Sequence, residues 1–210
     1  YFRPSLGFEF ISYHLRYALP ITAPRMFSKN NYDPQWNENY QIHNFVESDP
    51  TLQHGFKSNE PMLWSEDTFK DHTLLYGEMK KFNLNYGWLQ SSWYNSAAKG
   101  VVTLSRSTEA ITLKELDAKE AKMSKLVRLT HACLSEIITL SPPYNPLEKL
   151  STREVEVLKW VADGKTGEVI GKVLGVTERT VTHHTVNIMQ KLNATNKTAA
   201  AVKAALLGII

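Results

Sequence analysis

Beyond Leu150 the apolar residues recur every three or four positions in short series, which predicts helices. Before Ser141 such series are interleaved with runs of β-branched and aromatic residues, which predict strands. Phe8–Arg16 and Arg25–Lys29 read as paired strands on either side of a proline-containing turn, and Gly87–Tyr94 and Val101–Arg106 as a second pair turning at Ala97–Gly100. Pro34–Phe45, Asp49–Phe56 and Glu66–Phe82 suit helices. A long helix is predicted from Thr112 to Leu140, with Leu116, Met123, Leu126, Val127, Thr130, Cys133 and Ile137 on its apolar face. Helices interleaved with a central antiparallel sheet give an α/β/α sandwich, large enough to enclose a small ligand.

In the last part of the chain, Ser151 and Glu154 have the spacing of a capping box ahead of Val155, Leu158, Val161 and Ala162, and that helix is expected to end at Gly164. Val169, Ile170, Val173 and Leu174 form the next series, closed by Gly175, which accepts the left-handed backbone a sharp turn needs. Thr177 caps a third helix. Val181, His184, Thr185, Ile188 and Leu192 share one of its faces, while Arg179, Thr182, His183 and Val186 fall opposite. A fourth helix is expected from Lys197 to Leu207, making an all-α four-helix unit and an α+β chain overall. Two short helices joined by a tight turn, the second with an exposed polar face, meet the needs of a helix-turn-helix, although a plain bundle would share the spacing.

Composition cuts the chain at the same place. Three of the nine prolines fall within 141–149, so the expected organisation is a domain over 1–140, a linker over 141–149 and a second domain over 150–210. Of the 22 aromatic residues only Trp160 lies beyond the linker, and the residues after it carry the whole net charge of +3. A neutral, aromatic-rich domain is thus joined to a small basic one, a sign of charge compatible with nucleic acid. The single cysteine supplies neither an internal disulfide nor a thiolate metal cage, so a reducing, cytoplasmic setting is expected. No uncharged run approaches the ~20 residues that span a membrane, and the first residues lack the pattern of a signal peptide. Catalysis, a cofactor and a metal are not expected either. There is no G-x-S-x-G elbow and no H-x-H or H-E-x-x-H spacing, and Gly164-Lys165-Thr166 is no P-loop because Lys159 stands where its first glycine is required. The βα alternation of a phosphorylated receiver domain is lacking as well.

The last domain resembles the LuxR-type helix-turn-helix along its length, with Glu154, Leu158, Gly164, Lys165, Thr166, Arg179, Thr180, Val181, His184, Asn187, Lys191, Leu192 and Asn196 in register. It departs at one place: Val169 stands where the family usually has Glu, and Glu168 comes one residue early, roughly 100° around the helix. In the first domain Tyr32, Trp36 and Tyr40 recur every four residues and line one helical face. Alone, these aromatics would suit a core and Asp49 a helix cap. Together with Asp49-Pro50, Trp64 and Gly87, their spacing resembles the acyl-homoserine-lactone-binding domain of LuxR-type quorum-sensing receptors.

That resemblance implies a ligand-controlled transcription factor rather than an enzyme. It implies that Trp36 meets the lactone carbonyl, Asp49 the amide N–H, and Tyr32, helped by Ser12 and Thr103, the amide carbonyl. Tyr40, Trp64 and Trp88 would supply apolar walls. On the DNA side it makes Lys165, Thr166, Asn187 and Lys191 the candidates for phosphate contacts and Arg179, Thr182, His183 and Val186 those for base edges. A homodimer on a two-fold-symmetric operator is expected, with the helices at 112–140 and 197–207 as dimer candidates. Family members usually carry a further helix ahead of the position where this chain begins. A receptor of the same fold tuned to a different small molecule stays open at this point.

Overall fold

The computed structural model of the protein describes residues 6–93, 98–140 and 149–210, and of 136–140 the backbone alone. It divides into two compact units that part between Ile137 and Ile138. The linker read at 141–149, Lys149 excepted, lies outside the described residues, as do Tyr94, Ala97 and the side chain of Ile137.

The first unit is built on one antiparallel sheet of five strands: β1 (Phe10–Tyr17), β2 (Arg25–Asn30), β3 (Met62–Trp64), β4 (Tyr86–Trp93) and β5 (Ala98–Arg106), in the order β2-β1-β5-β4-β3. Helices α1 (Pro34–Ile42), α2 (Pro50–Lys57) and α3 (Thr73–Lys81) connect them, and α4 (Leu113–Leu140) follows. Successive side chains leave opposite faces of a strand, and the register then fixes what each face presents. Ser12 pairs with Asn30 and Thr103, and His14 with Ser28 and Val101, so these form one face. The same face carries Trp64 and Leu89 into a buried cluster with Trp36, Phe45, Leu52 and Met79. Tyr13, between Ser12 and His14, points the other way and shares a 2.8 Å hydrogen bond with His131 of α4. Helices therefore cover both faces, as the alternation of elements predicts.

Several boundaries differ from the expectation. Ala98–Gly100 belong to β5 instead of turning: Gly100 pairs with Leu15 and Ser92, and a Cβ there would lie 2.3 Å from His131 Nδ1. This glycine marks a close approach of α4 to the sheet. The helix expected over Glu66–Phe82 is two pieces, a 3-10 turn at Glu66–Phe69, capped by Ser65, and α3, separated by His72 at φ −128°, ψ 47°. The helix from Pro34 stops at Ile42, and Asn44 takes a left-handed φ of 48° before a short 3-10 turn at Phe45–Glu47. Strand β3, only three residues long, is too short for a periodic pattern to reveal. On α4, Met123 and Val127 are buried as expected, but Cys133 is exposed and His131, two positions earlier, is fully buried.

The second unit contains α5 (Thr152–Ala162), α6 (Gly167–Leu174), α7 (Glu178–Lys191) and α8 (Lys197–Leu206). The capping box forms: Ser151 Oγ accepts from the Glu154 N–H at 3.3 Å, and Glu154 Oε2 accepts from the Ser151 N–H at 2.7 Å. Gly175 closes α6 at φ 66°, ψ 35°, and Thr177 accepts from the Thr180 N–H to start α7. Leu158, Ile170, Val181, Ile188 and Leu192 meet in the core with Val157, Ala200 and Ala204. Ala162, the last residue of α5, is exposed, as are Val169 and Val173, because the short α6 turns only Ile170 and Leu174 of its apolar series inward. Among the described residues no helix is long and apolar enough to cross a membrane.

Candidate functional site

The first unit encloses a cavity of about 420 Å³ between the sheet face of Ser12 and His14 and the helices α1 to α3. Seven of the residues singled out from the sequence line it: Ser12, Tyr32, Trp36, Tyr40, Asp49, Trp64 and Thr103. They arrive from four directions. Ser12 and Thr103 are direct neighbours on β1 and β5, Trp36 and Tyr40 lie one turn apart on α1, Asp49 heads α2, and Trp64 ends β3. Trp36 and Tyr40 sit 5.5 Å apart between ring centroids, with Phe45 and Phe82 also against Trp36.

Asp49 does two jobs at once. Its Oδ1 caps α2, accepting from the Thr51 N–H at 2.8 Å, the Thr51 hydroxyl at 2.6 Å and the Leu52 N–H at 3.4 Å. Its Oδ2 accepts from the Tyr40 hydroxyl at 2.8 Å. A carboxylate offers about four lone-pair directions, so Oδ2, engaged by Tyr40 alone, retains an acceptor position on a residue that lines the cavity. Burial raises the Tyr40 phenol well above its ordinary range, and the adjacent Asp49 charge raises it further. Tyr32 is raised by burial, against which the nearby Ser12 and Ser105 hydroxyls act. Both phenols therefore stay protonated and can donate.

Three of the expected site residues, Pro50, Gly87 and Trp88, do not line the cavity. Pro50 is the first residue of α2, where its missing N–H costs nothing. Gly87 packs under the Trp64 ring: a Cβ there would stand 2.3 Å from Trp64 Cε2 and 2.6 Å from the Leu104 carbonyl oxygen. It shapes the wall by letting the indole lie against β4. Trp88 was expected as a wall, but it pairs with Leu63 and Leu104 on the opposite face of the sheet and is fully buried there. Sequence reasoning also missed cavity residues. His14, Ser28 and Asn30 are brought in only by strand register, and Val46, Leu52, Met79 and Leu84 supply much of the apolar surface. Asn30 is already committed, its amide paired reciprocally with that of Asn37 at 2.8 and 3.1 Å. Two polar atoms among the lining residues, His14 Nδ1 and Trp64 Nε1, are buried with no hydrogen-bond partner among the described residues. No group of three or more His, Cys, Asp or Glu positioned to hold a metal occurs among the described residues.

In the second unit the exposed face of α7 carries Arg179, Thr182, His183 and Val186 together, opposite Val181 and Ile188 in the core. Lys165 and Thr166 are exposed just ahead of α6, where Thr166 accepts from the Val169 N–H. Asn187 is half-buried. Lys191 is engaged internally: its Nζ lies 2.8 Å from Glu154 Oε2, whose side chain is almost wholly buried. Hydrogen bonds from Lys191 and Ser151 hold the Glu154 carboxyl below its ordinary range despite burial. The displaced acid Glu168 pairs with Lys172 at 2.6 Å on the surface of α6.

A cavity with converging buried polar anchors in one unit, and a helix-turn-helix with an exposed polar face in the other, define a ligand-sensing DNA-binding regulator. Comparison with known proteins narrows that class. Residues 1–134 match the autoinducer binding domain and residues 148–204 the luxR family of bacterial regulatory proteins. The chain is 37% identical to the transcriptional activator protein AnoR of Acinetobacter nosocomialis, over 98% of its own length and 87% of that protein's. Its identity to the transcriptional activator protein SolR of Ralstonia nicotianae is 36%, with the same coverage. Among solved structures it is similar to SdiA in complex with octanoyl-rac-glycerol, with a TM-score of 0.80 at 31% identity, covering 96% of this chain and 82% of that one. The chain belongs to the LuxR family of quorum-sensing transcriptional regulators, a family of DNA-binding proteins rather than enzymes.

Proposed function

We propose that this regulator is a cytoplasmic homodimer that takes an N-acyl-homoserine lactone into the cavity and, so loaded, binds a two-fold-symmetric operator. The observation that carries the reading is the Asp49 carboxylate, fixed between its own helix cap and the Tyr40 hydroxyl, with an acceptor direction left for an amide N–H. Trp36 brings an indole N–H for the lactone carbonyl, and Tyr32 with Ser12 and Thr103 brings hydroxyls for the amide carbonyl. Each polar ligand group needs such a partner, since leaving one unpaired costs about 1–3 kcal/mol. The tail lies against Val46, Leu52, Met79 and Leu84, where burial contributes ~25 cal/mol per Å².

Ligand burial then completes the core of the first unit and stabilises the form that binds DNA. Arg179, Thr182, His183 and Val186 face the base edges, and Lys165, Thr166 and Asn187 the phosphates. Lys191, paired with Glu154, anchors α7 to α5 and reaches a phosphate only by leaving that pair.

A second reading has a specific observation behind it: the related SdiA structure holds octanoyl-rac-glycerol, an acyl chain on a head group that is not a lactone. Mass spectrometry of small molecules extracted from the protein, expressed with a mixed panel of acyl-homoserine lactones and monoacylglycerols, separates the two. Retention of one lactone over the panel is the expected result. Retention of acylglycerols alone would replace the lactone, and retention of nothing would remove the ligand.

A further inference from the structure

The polar anchors assigned above do not account for the whole floor of the cavity. Strand β1 brings His14 to the same face as Ser12, two residues or roughly 7 Å further along. Register sets Ser28 of β2 directly beside it, at the exposed end of the cavity. Ser12 sits with the buried anchors, so the floor changes from a buried polar end, through His14, to an open rim.

His14 is the unusual member. Its Nδ1 is buried and has no hydrogen-bond partner among the described residues, whereas Asn30, the next polar lining group on β2, is satisfied by Asn37. Burial lowers the imidazole from 6.5 to about 4, against the pull of the Asp49 charge, so near neutral pH the ring carries one N–H and one lone pair. A buried nitrogen left unpaired is unfavourable. A plain alkyl tail crossing the floor leaves it so, whereas a tail bearing oxygen satisfies it. A ketone oxygen accepts from the ring N–H, and a hydroxyl either accepts or donates.

We infer that His14, with Ser28 at the rim, is a specificity-determining subsite that selects an acyl chain carrying a carbonyl or hydroxyl oxygen over an unsubstituted chain of equal length. This rests on the lactone reading of the preceding subsection.

The test is equilibrium binding of the full chain to three probes: N-octanoyl-, N-(3-oxooctanoyl)- and N-(3-hydroxyoctanoyl)-homoserine lactone. At least one oxygenated probe is expected to bind about tenfold or more tightly than the octanoyl compound. His14→Leu is expected to abolish that preference, read as the ratio of the oxygenated to the octanoyl dissociation constant falling to within about threefold of one. Equal binding of all three by the wild type, or a preference that survives His14→Leu, would overturn the subsite while leaving the lactone reading intact. Failure of every lactone to bind would overturn both. Should His14→Leu not fold, the wild-type imidazole ¹⁵N resonances give the answer alone: an oxygenated probe shifts the His14 ring nitrogens and the octanoyl probe does not, and an equal response to both would refute the inference.

Discussion

Asp49 offers a perturbation that separates architecture from recognition. Asp49→Ala removes the three bonds at Oδ1 and the Tyr40 bond at Oδ2 together. Losing a helix cap costs about 1 kcal/mol, and a buried hydroxyl left unpaired roughly 1–3 kcal/mol more, so this variant is destabilised by about 2–4 kcal/mol whether or not it ever meets a ligand. Loss of response in it therefore shows little about binding. Asp49→Asn is the informative change. The Asn carbonyl keeps the cap at the Oδ1 position, and its NH₂ faces Tyr40, whose hydroxyl turns from donor to acceptor. Stability is expected to fall by about 1 kcal/mol or less. A ligand N–H, however, now meets a donor, and the loss of a hydrogen bond to a charged group, about 1.5–3 kcal/mol, weakens binding by roughly 10- to 150-fold. Urea unfolding of the ligand-free protein, beside a titration with acyl-homoserine lactone, reads both quantities. An Asp49→Asn protein that is nearly as stable as wild type and binds as tightly would refute the assignment of Asp49 to the ligand.

Gly87→Ala forces a Cβ to within 2.3 Å of Trp64 and 2.6 Å of the Leu104 carbonyl oxygen. It should cost at least the 1–3 kcal/mol typical of overpacking and weaken ligand binding as the cavity wall moves, read by thermal melting and titration; an unchanged melting temperature would refute this packing. His131 is lowered by burial from 6.5 to about 4, so the unfolded chain takes up its proton first and stability falls as pH drops from about 6.5 toward 4. His131 contributes about 2 kcal/mol of the loss between pH 7 and 5, and His14, lowered likewise by burial to about 4, adds to it, so His131→Gln should roughly halve that part of a stability profile measured by urea unfolding. Lys191→Ala leaves the buried Glu154 carboxylate without its half-buried partner and should destabilise the second unit by about 1–3 kcal/mol, seen as a lower urea midpoint; an unchanged midpoint would free Lys191 for DNA. Replacing Thr182 and His183 by Ala should alter operator preference in a binding-site selection without changing the melting temperature, and an unaltered preference would remove both from base readout.

Much of this was legible in the residues, for identifiable reasons. Ser151, Thr177 and Gly175 announce helix ends by local chemistry, and the structure uses each as expected. Trp36 and Tyr40 share a face of α1 because helical spacing fixes it, whereas Tyr32, expected on that face, precedes the Asp33 cap and reaches the cavity from the turn after β2. Trp88 went wrong although the relevant rule is equally local: it alternates with Gly87 and Leu89, so a strand that turns Gly87 toward Trp64 must turn Trp88 away. The same rule places His14 on the face of Ser12, a signal present in the sequence that only strand register turns into a site. Cys133 was misplaced by extending one apolar stripe along a 28-residue helix, where a pattern drifts around the axis and the contact with Tyr13 brings His131 inward instead. That Lys191 answers to Glu154, 37 residues away, is tertiary information with no local signature.

The central claim is that occupancy of the first unit controls DNA binding by the second. Its most direct test is fluorescence anisotropy of the full chain on a two-fold-symmetric operator obtained by selection, at fixed salt, with and without a lactone that the protein retains. The account predicts tight, specific binding with ligand, at least tenfold weaker binding without it, and in Asp49→Asn a response that needs roughly 10- to 150-fold more ligand than the wild type. Equal affinity for the operator with and without ligand would contradict it.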